Sequence, residues 1–272
     1  MTYDDELQLA GQAAREAAAI ILRHYQAGGI AVETKADDSP VTAADRDANA
    51  AIVGRIADAF PGDAILSEES PDSEARLDKR RVWIVDPLDG TRDFVARTGD
   101  FCVHIGLAVD GAAALGVVVQ PTTGTLWRAA AGAGAFRERD GAVERLHVSA
   151  VAELARFRIG VSRLNASDRL GQCLRQAGLD RRAETMGASV KHMATAAGAL
   201  EAVINLSPGE CDWDTCAPEA ILREAGGALT DGDGHPFRYN QRDVLHARGS
   251  IASNGARHAE LVGMIAPYLG PA

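Results

Sequence analysis

In the first sixty residues, apolar positions recur with the spacing of an α-helix, and this pattern predicts two helices. One face of residues 4–26 carries Leu9, Ala13, Ala17, Ile20, Ile21 and Tyr25. This spacing is typical of an amphipathic helix, and Gly28-Gly29 would end it. A second helix is predicted from Thr42 to about Phe60, because Thr42 and Asp45 match a capping box and Pro61-Gly62 follow the apolar run.

Short apolar runs separated by turn residues predict strands beyond residue 60. A strand at Ile30–Thr34 and a polar loop at residues 35–40 precede them. Residues 64–67 and 81–85 form two strands, a charged surface linker (71–80) joins them, and residues 102–147 form a meander with a hairpin at Asp110-Gly111. From residue 148, strands are predicted at 157–162, 202–205, 228–230 and 250–252, and helices at 168–177, 189–200, 213–225 and 256–269. We expect an α+β half with an antiparallel sheet (1–147) and an α/β half (148–272).

The segment from Arg81 to Thr91 joins a predicted buried strand to residues that could bind a cation and an anion. Its apolar residues lead directly into Asp86 and Asp89. Pro87 cannot donate within a central strand, so a turn is expected there. Gly90 and Thr91 then open a short helix with free backbone N–H groups. Paired acids beside a helix start predict a cation site next to an anion site. An ordinary Asp-rich turn is the alternative.

Further acids lie at the ends of other predicted elements. Glu68 and Glu69 follow the strand at 64–67, so neighbouring strands would bring Glu68 near Asp86 and Asp89. Asp212 and Asp214 begin a helix, where acids are common because of the helix dipole. No Lys or Arg lies between residues 204 and 221, so a buried acid there needs a partner from elsewhere.

The composition and charge of the chain limit which partners and metal ions these acids could bind. Apolar residues make up 46% of the chain, enough for a substantial core, and the net charge of −10 argues against a nucleic-acid partner. The four cysteines show no metal spacing, the acidic N-terminus is unlike a signal peptide, and no apolar run is long enough for a membrane span. We therefore expect a reduced cytoplasmic protein. Carboxylates without clustered histidines favour Mg²⁺ or Mn²⁺ over Zn²⁺, as in a multi-metal phosphatase.

Three motifs in chain order carry a family resemblance. They are Glu68-Glu69-Ser70, Asp86-Pro87-Leu88-Asp89-Gly90-Thr91, and Trp213-Asp214 with Gly226-Gly227. Over nearly its whole length the chain resembles the inositol monophosphatase superfamily of Mg²⁺-dependent, lithium-sensitive phosphatases. The resemblance implies a layered αβαβα sandwich and a small phosphate ester as substrate. The resemblance does not distinguish between a monomer and a homodimer.

The resemblance also implies roles for individual residues. Two or three Mg²⁺ ions would be bound by Glu68, Asp86, Asp89, Asp214 and the Leu88 carbonyl. The N–H groups of Gly90 and Thr91 would hold the phosphate. Thr91 with Glu68 would orient the attacking water, and Asp45, otherwise a helix cap, would assist near a further metal or its water.

Within the superfamily the chain most resembles CysQ-type 3'(2'),5'-bisphosphate nucleotidases. Residues 35–45 and 213–219 carry this likeness, and Lys191 occupies the place of a nucleotide-binding lysine. It implies hydrolysis of adenosine 3',5'-bisphosphate, and by extension its phosphosulfate analogue, to AMP and phosphate, with a place in sulfur assimilation. Arg163 and Ser189 are the further predicted substrate contacts.

Three departures concern the substrate rather than the metals. One Ser of a pair remains before Lys191, residues 205–207 lack a usual Arg, and residues 162–165 read Ser-Arg-Leu-Asn instead of Ser-Arg-Ser-His. Inositol monophosphate or fructose 1,6-bisphosphate are therefore alternative substrates. A non-catalytic protein that binds metal or nucleotide is the alternative of a different class.

Overall fold

The computed structural model describes residues 2–29, 31–35, 40–164, 167–207 and 209–270. The α-helices in these ranges are Asp4–Ala27 (α1), Ala43–Ala59 (α2), Thr91–Val95 (α3), Asp168–Gln176 (α4), Val190–Ala196 (α5), Asp212–Glu224 (α6) and His258–Ile265 (α7). Short 3₁₀-helices occupy Glu74–Asp78, Pro121–Thr123, Leu154–Arg156, Asp180–Arg182 and Ala266–Tyr268. Within the described ranges, every helix falls short of the length and apolar character that a membrane crossing requires.

The strands form two large sheets and one small ribbon. They are Val32–Thr34 (β1), Pro40–Thr42 (β2), Ala64–Ser67 (β3), Arg81–Asp89 (β4), Cys102–Val109 (β5), Ala112–Gln120 (β6), Thr125–Ala130 (β7), Gly134–Arg139 (β8), Ala142–Arg145 (β9), Ile159–Ser162 (β10), Ala183–Met186 (β11), Ala202–Asn205 (β12), Ala228–Asp231 (β13) and Ser250–Ser253 (β14). The first sheet runs β3-β4-β5-β6-β7-β8-β9, and only its β3–β4 pair is parallel. The second runs β11-β10-β12-β14-β13 and is mixed. Strands β1 and β2 form the ribbon.

Helices and sheets alternate in five layers. Helices α1 and α2 pack on one face of the first sheet around Ile21, Ile52 and Trp83. Helices α5 and α6 lie between the two sheets, where Cys216 belongs to a second apolar cluster. Helices α4 and α7 cover the outer face of the second sheet around Phe157. The predicted αβαβα sandwich is therefore confirmed, because each sheet buries both faces against helices.

A pair of glycines lets α6 approach the first sheet closely. Gly106 and Gly116 face each other across β5 and β6. A Cβ atom on Gly106 would lie 2.7 Å from Cys216 Sγ, and one on Gly116 would lie 2.3 Å from the Ala217 carbonyl oxygen. Larger residues at these positions would push α6, and the acids at its start, away from β4 and β5.

The predicted turn at Pro87 is wrong. Strand β4 continues through Pro87 to Asp89, but its pairing with β5 shifts register between Asp86 and Asp89. One extra residue on β4 is accommodated there as a bulge, the position at which a strand tolerates a proline that cannot donate a hydrogen bond. The bulge lies between the two aspartates.

Other differences come from contacts between distant segments. The predicted surface linker at 71–80 contains a 3₁₀-helix whose Arg76 is buried, because it pairs with Asp72 and donates to the Asn240 side chain and the Gln241 carbonyl. Strand β11 was not predicted because it is only four residues long and two of them, Glu184 and Thr185, are polar. Ile30 and residues 36–39 of the predicted polar loop lie outside the described ranges.

Candidate active site

Three carboxylates meet where β4 ends and α6 begins. Asp86 and Asp89 flank the bulge of β4, and Asp214 lies in the first turn of α6. One oxygen from each side chain lies within 4.8 Å of the other two. The backbone holds each side chain, because Asp86 Oδ1 accepts from Leu88 N at 2.9 Å, Asp89 Oδ2 from Ser189 N at 2.6 Å, and Asp214 Oδ2 from Cys211 N at 2.6 Å.

The electrostatics of this cluster fit a cation site. Burial raises the pKa of Asp86 well above its usual value, and the charges of Glu68, Asp89 and Asp214 raise it further. Burial and the charge of Asp89 likewise raise the pKa of Asp214 well above its usual value. Buried acids that repel one another are stabilised as anions by a shared dication. With only oxygen donors, the cluster can bind a hard divalent metal ion.

Glu68 lies beside this cluster on the neighbouring strand end. Its backbone N–H donates to the Val85 carbonyl at 3.1 Å, which places the residue next to Asp86 as predicted. The Glu68 carboxylate is not one of the three within mutual reach. Its Oε1 accepts from Lys35 Nζ at 2.7 Å, and Lys35 also pairs with Glu69. The Lys35 ammonium therefore partly neutralises these two acids.

Asp45 both caps α2 and contacts Thr91 at the start of α3. Its Oδ2 accepts from the backbone N–H and the hydroxyl of Thr42, at 2.8 and 2.6 Å, as the capping box predicted. Its Oδ1 accepts from the Thr91 hydroxyl at 3.1 Å, and that hydroxyl lies 3.3 Å from the Leu88 carbonyl oxygen. Burial raises the pKa of Asp45, although the bonds from Thr42 oppose the shift. The cap is thus confirmed, and the role of Asp45 near a metal or its water stays a prediction.

His104 is a site residue that sequence reasoning missed. It is fully buried in β5, with Nε2 at 3.3 Å from Asp89 Oδ2 and Nδ1 at 3.3 Å from the Trp213 carbonyl oxygen. Burial acts to raise the pKa of Asp89, but His104, Lys191 and the Ser189 amide stabilise its anion, and the net shift is downward. The available signal was a single histidine inside the otherwise apolar run of 102–109.

A cleft of about 640 Å³ opens over the carboxylates. Predicted site residues that line it are Glu68, Asp86, Leu88, Asp89, Gly90, Thr91, Ser189, Lys191 and Asp214. Gly90 has φ +88°, and a Cβ atom there would lie 2.9 Å from Ala188 Cβ. Ala188 itself has φ 40°, and its carbonyl accepts from Lys191 Nζ at 2.6 Å. This tight turn holds the ammonium of Lys191 beside the carboxylates.

Arg163 and Asp45 are the predicted site residues that do not line the cleft. The Arg163 guanidinium pairs with Asp93 Oδ1 at 3.2 Å and with Asp100 Oδ2 at 2.7 Å. Asp100 Oδ2 also accepts from Gly187 N at 3.1 Å. Arg163 thus fastens the segment before Lys191 to the loop after α3, and its charge is largely balanced by two acids.

Two further cleft residues were missing from the predicted site. His192, next to Lys191, is 3% exposed, and neither ring nitrogen has a hydrogen-bond partner among the described residues. Glu210, just before α6, also lines the cleft. Burial raises the pKa of its carboxyl, and hydrogen bonds from the Ser250 and Asn205 side chains oppose that rise. Neither residue belongs to a recognisable motif, so only the folded chain reveals that they share the cleft.

Comparisons with known proteins agree with this geometry. Residues 3–266 match the model of the inositol monophosphatase family. The chain is 35% identical over 234 residues to the 3'(2'),5'-bisphosphate nucleotidase CysQ of Escherichia coli O157:H7, covering 85% of this chain and 93% of that protein. It is also 35% identical over 266 residues to a histidinol-phosphatase of Mycobacterium tuberculosis (strain ATCC 25618 / H37Rv), covering 96% of this chain and 98% of that protein.

A solved structure shows the same arrangement of layers. The inositol monophosphatase from Anabaena (Nostoc) sp. PCC 7120 superposes with a TM-score of 0.80 at 27% identity, over 100% of this chain and 98% of that one. Fold, carboxylate cluster and family match therefore converge: the chain belongs to the inositol monophosphatase family, whose members are metal-dependent phosphatases that act on small phosphate esters.

Proposed function

We propose that this protein hydrolyses adenosine 3',5'-bisphosphate to AMP and phosphate with Mg²⁺ as its metal. The observation that carries the proposal is the buried ammonium of Lys191 in the same cleft as the three clustered carboxylates. A substrate with one phosphate to be cleaved and another to be retained needs a metal site and a separate cation. The 35% identity to a bisphosphate nucleotidase supports the same choice.

The metal ligands would be Asp86, Asp89, Asp214, Glu68 and the Leu88 carbonyl. When bound, the metal ions would neutralise phosphoryl charge and activate the attacking water. Glu68 would have to exchange its contact with Lys35 for a cation. Thr91, already bonded to Asp45, would orient the water, while the N–H groups of Gly90 and Thr91 would bind the phosphate.

Lys191 would bind the second phosphate. Ser189 would support substrate binding through its backbone N–H, which donates to Asp89. Lys191 retains donors beyond the one used on the Ala188 carbonyl. We assign Arg163 a supporting part, because its guanidinium is engaged by Asp93 and Asp100. The phosphosulfate analogue would use the same contacts, since it keeps a second anionic group.

Histidinol phosphate is the second candidate, because a relative covering 96% of the chain carries that activity in its name. Lys191 argues against it, since the ammonium of histidinol phosphate would be repelled by a buried lysine ammonium. Inositol monophosphate and fructose 1,6-bisphosphate remain alternatives on the same scaffold. A non-catalytic protein is disfavoured by the intact carboxylate cluster.

Parallel phosphate-release assays test the proposal. The purified protein is given adenosine 3',5'-bisphosphate, histidinol phosphate, inositol 1-phosphate and fructose 1,6-bisphosphate, each with Mg²⁺ and with a chelator. We expect the highest kcat/KM for the nucleotide and no turnover with the chelator. A higher kcat/KM for any of the other three esters would refute the assignment of substrate, and turnover in chelator would refute the metal.

A further inference from the structure

The two acids that follow β3 lie at the tip of a β-turn. Its corner residues are Ser67 and Ser70, and the backbone N–H of Ser70 donates to the Ser67 carbonyl at 3.2 Å. Glu68 and Glu69 are therefore the two central residues of the turn. The conformation of this turn decides where the Glu68 carboxylate lies relative to Asp86 on the neighbouring strand β4.

One amide side chain connects both corners of this turn to α2. Asn49 Oδ1 accepts from the Ser67 hydroxyl at 2.6 Å, and Asn49 Nδ2 donates to the Ser70 hydroxyl at 3.0 Å. The same Nδ2 also donates to the Glu69 carbonyl at 3.4 Å, which is a longer and weaker contact. Because an amide combines an acceptor with two donors, a single planar group holds both sides of the turn.

Asn49 lies one helical turn after Asp45, so the same face of α2 contacts two separate segments of the candidate site. Asp45 accepts from the Thr91 hydroxyl, at the start of α3, at 3.1 Å. Asn49 contacts the turn that carries Glu68. Helix α2 therefore sets the position of this turn relative to the start of α3.

The Glu68 carboxylate itself has a partner of a different kind. Its Oε1 accepts from Lys35 Nζ at 2.7 Å, and the same ammonium pairs with Glu69. Glu68 would have to give up this contact to bind a cation. The bonds of Asn49 go to neighbouring residues and leave the Glu68 carboxylate untouched, so they would persist when a metal ion binds.

We propose that Asn49 is a positioning residue, which acts through the turn at 67–70 to hold Glu68 where it can share a metal ion with Asp86. The inference rests on the proposed function, since it takes Glu68 as a metal ligand, and it adds a residue that belongs to none of the sequence motifs. Groups that orient metal ligands typically change metal affinity by about 10-fold to 100-fold. Loss of the amide should therefore weaken metal binding as well as the fold.

Isothermal titration of the metal-free protein with Mn²⁺ or Mg²⁺ alone tests this role. Asn49→Leu, which keeps the size of the side chain but none of its hydrogen bonds, should raise the metal Kd about 10-fold. Glu68→Gln should also raise it. In the double variant the two effects should not multiply, because Asn49 acts on the metal only through Glu68. Two effects that multiply in full would refute the proposal.

Asn254→Leu is the matched control. The Asn254 amide makes bonds of the same kinds, because Nδ2 donates to the Ser149 and Val151 carbonyls at 3.0 and 2.8 Å and Oδ1 accepts from Ala256 N at 3.2 Å. None of these residues lines the cleft. Both asparagine variants should lower the free energy of unfolding, but only Asn49→Leu should change the metal Kd. An equal change in Kd in both variants would show that Asn49 serves the fold alone.

Failure of this inference and failure of the proposed function give different results. If Glu68→Gln leaves the metal Kd unchanged, Glu68 is not a ligand, and both the proposed metal ligands and the role of Asn49 are refuted. If Glu68→Gln weakens metal binding but Asn49→Leu does not, only the role of Asn49 is refuted. Should Asn49→Leu fail to fold, the double variant Ser67→Ala/Ser70→Ala, which removes two of the three partners of the amide, is compared in the same way.

Discussion

The imidazole of His104 links the two segments that supply the carboxylate cluster. Its Nε2 lies 3.3 Å from Asp89 Oδ2, and its Nδ1 lies 3.3 Å from the carbonyl oxygen of Trp213, the residue before Asp214. The end of β4 and the start of α6 are thus connected through one buried side chain of β5. If Asp89 and Asp214 bind a metal ion, as we propose, His104 would orient these ligands rather than bind the metal itself.

We predict that His104→Phe weakens metal binding without unfolding the protein. Loss of the imidazole leaves Asp89 with the Ser189 amide as its remaining fixed partner, and losses of this kind typically cost about 10-fold to 100-fold in metal affinity. Isothermal titration with Mg²⁺ or Mn²⁺ measures the effect. His104→Gln, which keeps a donor, should recover part of the affinity.

His258→Gln is the control for this experiment. His258 is a partly buried histidine whose nitrogens contact Ser253 at 2.7 Å and Thr230 at 2.9 Å, away from the cleft. Its substitution should leave metal affinity unchanged. A folded His104→Phe that binds metal like the wild type would show that the histidine only fills space.

We predict that Asp89→Asn abolishes turnover through loss of the metal. The substitution is nearly isosteric, but it removes one of three carboxylate charges that must balance a dication. We expect phosphate release to fall by more than about 100-fold, since a ligand should matter at least as much as the groups that orient it. Full activity at the same Mg²⁺ concentration would mean that Asp89 is not a metal ligand.

We predict that Gly116→Ala destabilises the protein and also weakens metal binding. The added Cβ would lie 2.3 Å from the Ala217 carbonyl oxygen, so α6 must move and carry Asp214 with it. Overpacking of this kind costs about 1–3 kcal/mol of the free energy of unfolding. Denaturant unfolding and metal titration measure the two effects.

Gly54→Ala separates this close approach from a general effect of alanine. Gly54 lies on the exposed side of α2, and a Cβ atom there would meet nothing within 4 Å. The substitution should raise the free energy of unfolding by up to about 1 kcal/mol, because alanine is the better helix former. Opposite signs at the two glycines are the expected result, and stabilisation by Gly116→Ala would contradict the packing described here.

The parts of the fold that the sequence predicted are those set by local patterns. The capping box at Thr42, the Asp110-Gly111 hairpin and strand 64–67 are all confirmed, because each depends on residues close together in the chain. Strand β11 and the buried Arg76 were missed, since both depend on partners far away in the sequence. Pro87 misled the prediction because the bulge that tolerates it is a property of the β4–β5 pair.

The residues of the candidate site fall into the same two groups, those that local motifs predict and those whose positions depend on the fold. Asp86, Asp89 and Asp214 were found because they stand in motifs at the ends of elements, and the sheet then brings them together. His104, His192 and Glu210 stand in no motif, so the contact of His104 with Asp89 and the positions of the other two in the cleft appear only after folding. Arg163 was predicted to contact the substrate, and the sequence did not show that Asp93 and Asp100 bind its guanidinium.

We predict that Lys191→Met selectively weakens binding of a substrate with two phosphates. Removal of the ammonium deletes a charge-assisted hydrogen bond worth about 1.5–3 kcal/mol, which corresponds to a rise in KM of roughly 10-fold to 100-fold. Adenosine 3'-monophosphate, which lacks the second phosphate, should lose much less. Equal losses on both nucleotides would indicate that Lys191 serves the carboxylate cluster, for example through Asp89, and not the second phosphate.

We predict that His246 makes the protein less stable in mild acid. Burial lowers the pKa of His246 from 6.5 to about 4, although the charges of Asp231 and Asp243 oppose the shift. The ring packs against Phe237 with centroids 4.2 Å apart, and its Nε2 lies 3.1 Å from the Thr215 hydroxyl. Asp212 Oδ1 lies 3.5 Å from the same nitrogen, and burial raises the pKa of that carboxyl to about 7, which weakens its pull on a proton at His246. The folded state therefore keeps this imidazole neutral where the unfolded chain would protonate it.

The sign of the effect follows from proton binding. Between pH 6.5 and about 4, the unfolded state binds a proton at His246 that the folded state does not. The free energy of unfolding therefore falls as the pH falls through this window, and above pH 6.5 the contribution is constant. One pKa unit corresponds to about 1.4 kcal/mol, so the stability lost between pH 6.5 and about 5 is roughly 2 kcal/mol.

Comparison of the wild type with His246→Gln isolates this contribution from that of other groups. Glutamine does not titrate, so the free energy of unfolding of the variant should depend less steeply on pH over this window. Urea unfolding at several pH values from about 7.5 to about 5 gives both curves. The difference between wild type and variant should shrink as the pH falls. Parallel curves would mean that His246 titrates alike in the folded and unfolded chains, and that its burial does not hold it neutral.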